Sequence, residues 1–319
     1  MDGFIPLDTG RRRTLKAAIG CVGIGLHSGK RAALTLHPAA TGTGIRFRRS
    51  DLGLEIPARF DHVVDTRLCT ALALPGAPEA RIGTVEHVMA ALAGCGVDDA
   101  VVEVDGPEVP ILDGSAAPFV FLIDCAGIIG QAGTPEVIEI LRPVRVQDGD
   151  GPGAAWAEFL PSLGDRLEAE LTIDFPGTAI GRQSLGLRVT PLAFRDMLAD
   201  ARTFTLAEEV ARLRAIGLAQ GGSLGNAIVV DGPLVLNPGG LRRPDEFVRH
   251  KLLDAVGDLA LAGAPLRARF RGHRSGHALN NRLLRTLFAD AGAWRRVSAA
   301  RVVEGASARL PAAAAPAFA

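Results

Sequence analysis

Three short polar clusters stand out in this sequence of 319 residues. The first lies in the segment PDEFVRHKLLDAVGDLALA, residues 244–262, where His250, Asp254 and Asp258 follow at i, i+4 and i+8. On a helix each falls roughly 40° from the last, and Lys251 lies roughly 100° from His250. Val248, Leu252, Leu253, Val256 and Leu259 take the opposite arc and are expected to face the core. A His and an Asp one turn apart can both reach one metal ion. Taken alone, the helix fits a solvated charged face with an i,i+4 His–Asp pair better, because such pairs are common.

The second cluster is Glu86-His87, in the first turn of an expected helix after Thr84. Adjacent helical residues diverge, so if His87 ligates an ion, Glu86 stays free to contact water beside it. Two histidines and one carboxylate leave the fourth tetrahedral position open, the layout of catalytic rather than structural zinc. The third cluster is RSGHALNN, residues 274–281, with His277 between Gly276 and a helix start. Alone, His277 reads more readily as a helix cap. A carboxylate beside it, such as Asp258, would raise its pKa and favour the imidazolium.

The elements that must position these groups read as alternating strands and helices in two halves. In the first, strand-like runs at 31–36 and 44–48 precede a helix at 85–93, for which Thr84 is the expected N-cap. A strand at 100–104 and a helix at 116–126 follow. In the second, strands are expected at 137–140, 144–146, 155–159, 167–175, 227–231 and 266–271. Helices are expected at 207–216, 244–262 and 279–290, with Pro244 at the first position of the second. The expected fold is α+β: two similar domains, 13–130 and 135–300, each a β-sheet layered against helices with the active site between them. No repeat shows at the level of residue identity. Residues 306–319, with the run PAAAAP, are expected to form a disordered tail.

Composition excludes several classes. Lys plus Arg and Asp plus Glu are 35 each, so no basic excess points to nucleic acid. No run of 18 uncharged apolar residues is present, so no transmembrane segment is expected. The start, Met1–Arg13, has no apolar core of a secretory leader. The four cysteines form no CxxC pair; buried free thiols in a reducing cytoplasm are expected, and a monomer. Two motifs are decoys. GGSLG, residues 221–225, lacks the preceding strand and following helix of a nucleophile elbow. GLHSGK, residues 25–30, has Ile24 where a P-loop needs glycine, and Arg31 after the lysine. His27, His37, His62 and His273 have no helical partner and are read as structural.

The segments TVEHVMAALAG, PILDGSAAPFV, ARTF, DEFVRHKLLDAVGD and SGHALNN, in that order, resemble the UDP-3-O-acyl-N-acetylglucosamine deacetylase family over about Arg13 to Ala299. The resemblance implies hydrolysis of the N-acetyl group of UDP-3-O-acyl-GlcNAc, the committed step of lipid A synthesis in Gram-negative bacteria. It implies zinc, with Fe²⁺ as the alternative in a site of nitrogen and oxygen donors, held by His87, His250 and Asp254. Glu86 matches the general base, His277 the general acid and Asp258 its carboxylate partner. Thr203 matches an oxyanion contact and Lys251 a lysine beside substrate. Phe175 matches an aromatic that stacks on uracil, and Arg274 a basic position near the diphosphate. Leu206, Val210, Leu224 and Val229 fall in the acyl passage, with Phe204 of ARTF among the substrate contacts. The sequence departs from the family pattern in an extra N-terminal stretch, a loop with Pro75 and Pro78, and a Gly-rich loop at 149–153. A non-catalytic sugar-nucleotide or acyl-lipid binder needs neither Glu86 nor His277, and a zinc peptidase of the HExxH type lacks its helix here.

Overall fold

The computed structural model describes residues 10–151 and 153–299; the expected tail lies outside them. Among the described residues are six α-helices: α1 Glu86–Cys95, α2 Ala117–Ala126, α3 Pro191–Met197, α4 Ala207–Ala215, α5 Glu246–Ala260 and α6 His277–Ala289. Two five-stranded sheets share one topology. The first runs Ile19–Ile24, Arg31–Pro38, Ala100–Val104, Ile45–Arg49, Leu54–Pro57 across the sheet. The second runs Val144–Asp148, Ala155–Leu160, Arg269–His273, Glu168–Phe175, Gly181–Arg188. In each, the last strand in chain order sits in the middle, antiparallel to the second strand and parallel to the third. The fold is α+β, and the repeat absent from residue identity is present in strand order.

The repeat extends to the helices. α1 and α5 each precede the middle strand of their sheet, and α2 and α6 each follow it. Each half also carries an insert between its fourth strand and the helix that precedes the middle strand. In the first half this is an antiparallel ribbon, Val63–Asp65, Ala71–Leu74 and Ala77–Ile82. In the second it is Phe204–Leu206, α4, Ile228–Asp231 and Leu234–Val235. Alternation builds the inner faces: Ala32, Leu34 and Leu36 point inward from one sheet, Ala169, Leu171 and Ile173 from the other. Contiguous burial joins both faces to Val88, Leu92, Leu252, Leu253 and Val256 in one core.

α1 and α5 meet directly. A Cβ added at Gly257 would stand 2.0 Å from the carbonyl oxygen of Glu86, so only glycine lets the first turn of α1 lie on α5 there. This contact replaces the solvated face that the sequence of α5 suggests. His250, Asp254 and Asp258 are buried as deeply as the apolar arc opposite.

Some expected elements change. α5 begins at Glu246 with Asp245 as N-cap, so Pro244 precedes the helix. Val85, not Thr84, is the N-cap of α1; the Thr84 hydroxyl instead donates to Glu108 at 3.2 Å. The run 266–271 divides into Leu266–Arg267, beside Glu136–Ile140, and Arg269–His273, in the large sheet. Gly181–Arg188 (GRQSLGLR) has little apolar signal and forms because all eight residues pair with Glu168–Phe175. α3, unexpected from periodicity, is started by Pro191 and capped by the Thr190 hydroxyl. All four cysteines are free, but only Cys69 and Cys95 are buried; Cys125 is exposed.

The α1–α5 contact makes Gly257 a test position. Gly257→Ala should cost about 1–3 kcal/mol in denaturant unfolding, through overpacking against backbone that cannot swing aside, and should lower activity by displacing Glu86.

Candidate active site

The first turn of α1 and the middle of α5 bring the predicted ligands together. The ligand atoms of His87, His250 and Asp254 lie within 4.8 Å of one another, and all three residues are buried. Asp254 Oδ1 stands 3.5 Å from His87 Nε2 and 3.3 Å from His250 Nε2. Two donors at usual zinc distances and a tetrahedral angle stand about 3.3 Å apart. Asp254 Oδ1 is buried and accepts no hydrogen bond, a costly state for a carboxylate oxygen unless a cation shares it. The donor set therefore fits one metal ion.

The surroundings fix these side chains. His250 Nδ1 donates to the carbonyl of Ala201 at 3.0 Å, which leaves the Nε2 lone pair facing Asp254. Burial lowers the His250 pKa to about 4, so the ring is neutral at pH 7, as a ligand must be. Lys251 Nζ donates to Asp254 Oδ2 at 3.1 Å and stands 5.5 Å from the Phe204 ring centroid. Burial would lower the Lys251 pKa, but the charge and hydrogen bond of Asp254, together with the charges of Asp258 and Glu86, outweigh it and the pKa is raised. Burial would raise that of Asp254, but His250 and Lys251 outweigh it and hold the carboxyl well below its ordinary value.

Glu86 and His277 face each other across the site, with His277 Nε2 3.9 Å from Glu86 Oε1. Burial raises the Glu86 pKa, with His277 opposing, which moves the carboxylate toward the range of a useful base. His277 is the first residue of α6, as expected. Its Nδ1 pairs with Asp258 Oδ2 at 2.9 Å, and Asn280 donates to the same oxygen at 2.8 Å. Burial alone would lower the His277 pKa; the Asp258 carboxylate outweighs it and raises the pKa to about 9. Two strained residues flank these segments: Thr84 (φ 59°) lies just before Glu86, and Arg274 (φ 52°) just before His277.

All of this opens into a cleft of about 730 Å³. Glu86, His87, His250, Lys251, Asp254 and His277 line one end. Thr203, Phe204, Val210, Leu224, Val229 and Arg274 line other parts of the wall. Asp258 sits behind His277. Phe175 and Leu206 lie outside the lining: Phe175 packs edge-on to Phe204, centroids 5.8 Å apart, and Leu206 packs on the core. Three residues went unremarked or were read otherwise in the sequence. His27, read as structural, lines the cleft, and both its ring nitrogens are buried without a partner; its place in a GLHSG turn gave no helical spacing to notice. Asn280 lies at i+3 from His277, a spacing that does flag it. Thr70 touches both Glu86 and Asp258, and no local pattern marks it.

A buried donor triad with a carboxylate and a charged imidazole beside it holds the parts of a metal-assisted hydrolase. Comparison with known proteins gives the family. Residues 12–289 match the family model described as UDP-3-O-acyl N-acetylglycosamine deacetylase, and the chain belongs to that family. The UDP-3-O-acyl-N-acetylglucosamine deacetylase of Acidithiobacillus ferrooxidans is 50% identical over 289 residues, covering 90% of this chain and 93% of that protein. The protein of the same name from Anaeromyxobacter sp. is 49% identical over 286 residues (90% and 91%), and that from Shewanella frigidimarina 46% over 289 (90% and 92%).

The charge of Asp258 sets the His277 titration. In metal-free protein, NMR of the His277 ring should give a midpoint near 9. In Asp258→Asn the burial effect is left unopposed by its largest counterweight, and the midpoint should fall by more than one unit. An unmoved midpoint would separate the two residues.

Proposed function

We propose that the chain removes the N-acetyl group of UDP-3-O-acyl-GlcNAc by zinc-dependent hydrolysis, the committed step of lipid A synthesis, with His87, His250 and Asp254 as metal ligands. The observation that carries this is the buried triad with its unpartnered Asp254 oxygen, set beside Glu86 and His277 in one cleft. A bound divalent ion there supplies Lewis-acid polarisation of the amide carbonyl and a more acidic water; Fe²⁺ suits the same donors.

The residues of the chain do the rest. Glu86 Oε1 takes a proton from the attacking water. Thr203 and Lys251 stabilise the charge that develops on the carbonyl oxygen. His277, kept charged by Asp258, donates its Nε2 proton to the departing 2-amino nitrogen. The C–N bond breaks, giving acetate and the free amine. Val210, Leu224 and Val229 of the second insert receive the acyl chain, with Phe204 at its entrance and Arg274 near the diphosphate. Phe175 acts from behind, bracing Phe204, and Leu206 from its place against the core. Residues 13–130 and 135–300 serve as two domains with the cleft between them. No described helix is long and apolar enough to cross a membrane. The same reading makes the protein a cytoplasmic monomer, a compartment its free cysteines suit.

Acetate release from UDP-3-O-acyl-GlcNAc tests this reading. Glu86→Ala should keep stoichiometric metal yet lose about two to four orders of magnitude in kcat, the usual worth of a positioned base; retained activity excludes that role. The pH profile tests the acid. Asp258 favours the charged form of His277, so activity should fall on the alkaline side as the ring loses its proton, at a pH below the metal-free midpoint because a bound cation disfavours the imidazolium. His277→Ala should abolish that alkaline limb, and an unaltered bell excludes it as the acid.

A further inference from the structure

Thr70 stands between the two proton-transfer groups without touching the cleft. It precedes the strand Ala71–Leu74 in the first insert and is 1% exposed. Its backbone N–H donates to Glu86 Oε2 at 3.0 Å. Its hydroxyl donates to Asp258 Oδ1 at 2.6 Å. Its carbonyl accepts from the N–H of Val85, at the start of α1. One residue of the first half thus holds the carboxylate on α1 and the carboxylate on α5.

Each bond leaves the opposite oxygen in a defined place. With Oε2 held, Glu86 turns Oε1 toward His277. With Oδ1 held by Thr70, and Oδ2 shared by Asn280 and His277, Asp258 cannot rotate about its carboxyl axis. Its Oδ2 stays on His277 Nδ1, and His277 Nε2 stays aimed at the cleft. We infer that Thr70 is a positioning residue for the reaction, acting through Asp258 on His277 by its hydroxyl and on Glu86 by its backbone N–H. The inference rests on the roles proposed above for Glu86 and His277.

The two arms separate by mutation, because a side-chain substitution leaves the backbone donor. Thr70→Val is nearly isosteric and removes only the hydroxyl, leaving Asp258 Oδ1 buried without a donor. With metal content and Tm as controls, it should lower kcat on UDP-3-O-acyl-GlcNAc about ten- to a hundredfold, with KM within about threefold. Thr70→Ser keeps both donors and should restore kcat to within about threefold of wild type. If Val does not fold, Thr70→Ala removes the same hydroxyl with less crowding and should show the same loss. In a His277→Ala background the Val or Ala change should cost less than about twofold, because the group it positions is gone. Wild-type kcat in the Val or Ala variant, a Ser variant as poor as Val, or an equal loss with and without His277 each overturns the inference. Absence of deacetylation by the wild-type enzyme would instead overturn the proposed function, so the two failures are distinct.

Discussion

Glu86, Asp254 and Asp258 are three carboxylates buried in one small volume, and their desolvation and mutual repulsion must be offset for the fold to hold. The surroundings treat them unequally. Asp254 has Lys251 on one oxygen and the imidazoles of His87 and His250 near the other. Asp258 has donors on both oxygens, from Thr70, Asn280 and His277. Glu86 has the Thr70 N–H on one oxygen and His277 at a distance from the other. Asp254, compensated by His250 and Lys251 against its burial, is held well below its ordinary carboxyl pKa, as the proposed ligand role requires. The least-compensated one is left with a raised pKa, which suits a group that must take a proton and give it up.

Function and fold meet at this arrangement because the groups come from both halves of the repeat. α1 and α5 hold equivalent places in sheets of identical strand order, and they pack through Gly257 with no side chain between them. That contact places His87 beside Asp254. The inserts differ where the two halves must do different work. The first is a short ribbon that presents Thr70, just before its middle strand, to the carboxylates. The second carries α4 and the apolar wall of the cleft. The ARTF segment is tied to α5 by Glu246, which is fully buried and accepts from Arg202 and from the backbone N–H groups of residues 202 and 242.

Much of this was legible in the sequence, for identifiable reasons. The one-turn spacing of His250 and Asp254 is visible, though alone it reads better as a solvated pair, and long helices and alternating strands carry strong periodic signals. Glu86-His87 was weak alone and gained meaning only with α5. What could not be read locally depends on partners far along the chain. Gly181–Arg188 is a strand because of its neighbour. The polar arc of α5 is buried because α1 and α6 cover it. The contact of Thr70 could not be read because the residue that accepts its hydrogen bond lies 188 positions later. The repeat escaped notice because topology persists while residue identity does not.

The claim that the α1–α5 junction is a metal centre is tested most directly by anomalous diffraction from crystals of the zinc-loaded protein. One peak is predicted within about 2.0–2.2 Å of His87 Nε2, His250 Nε2 and Asp254 Oδ1. Zinc bound elsewhere, or no zinc at these three atoms, would contradict the account.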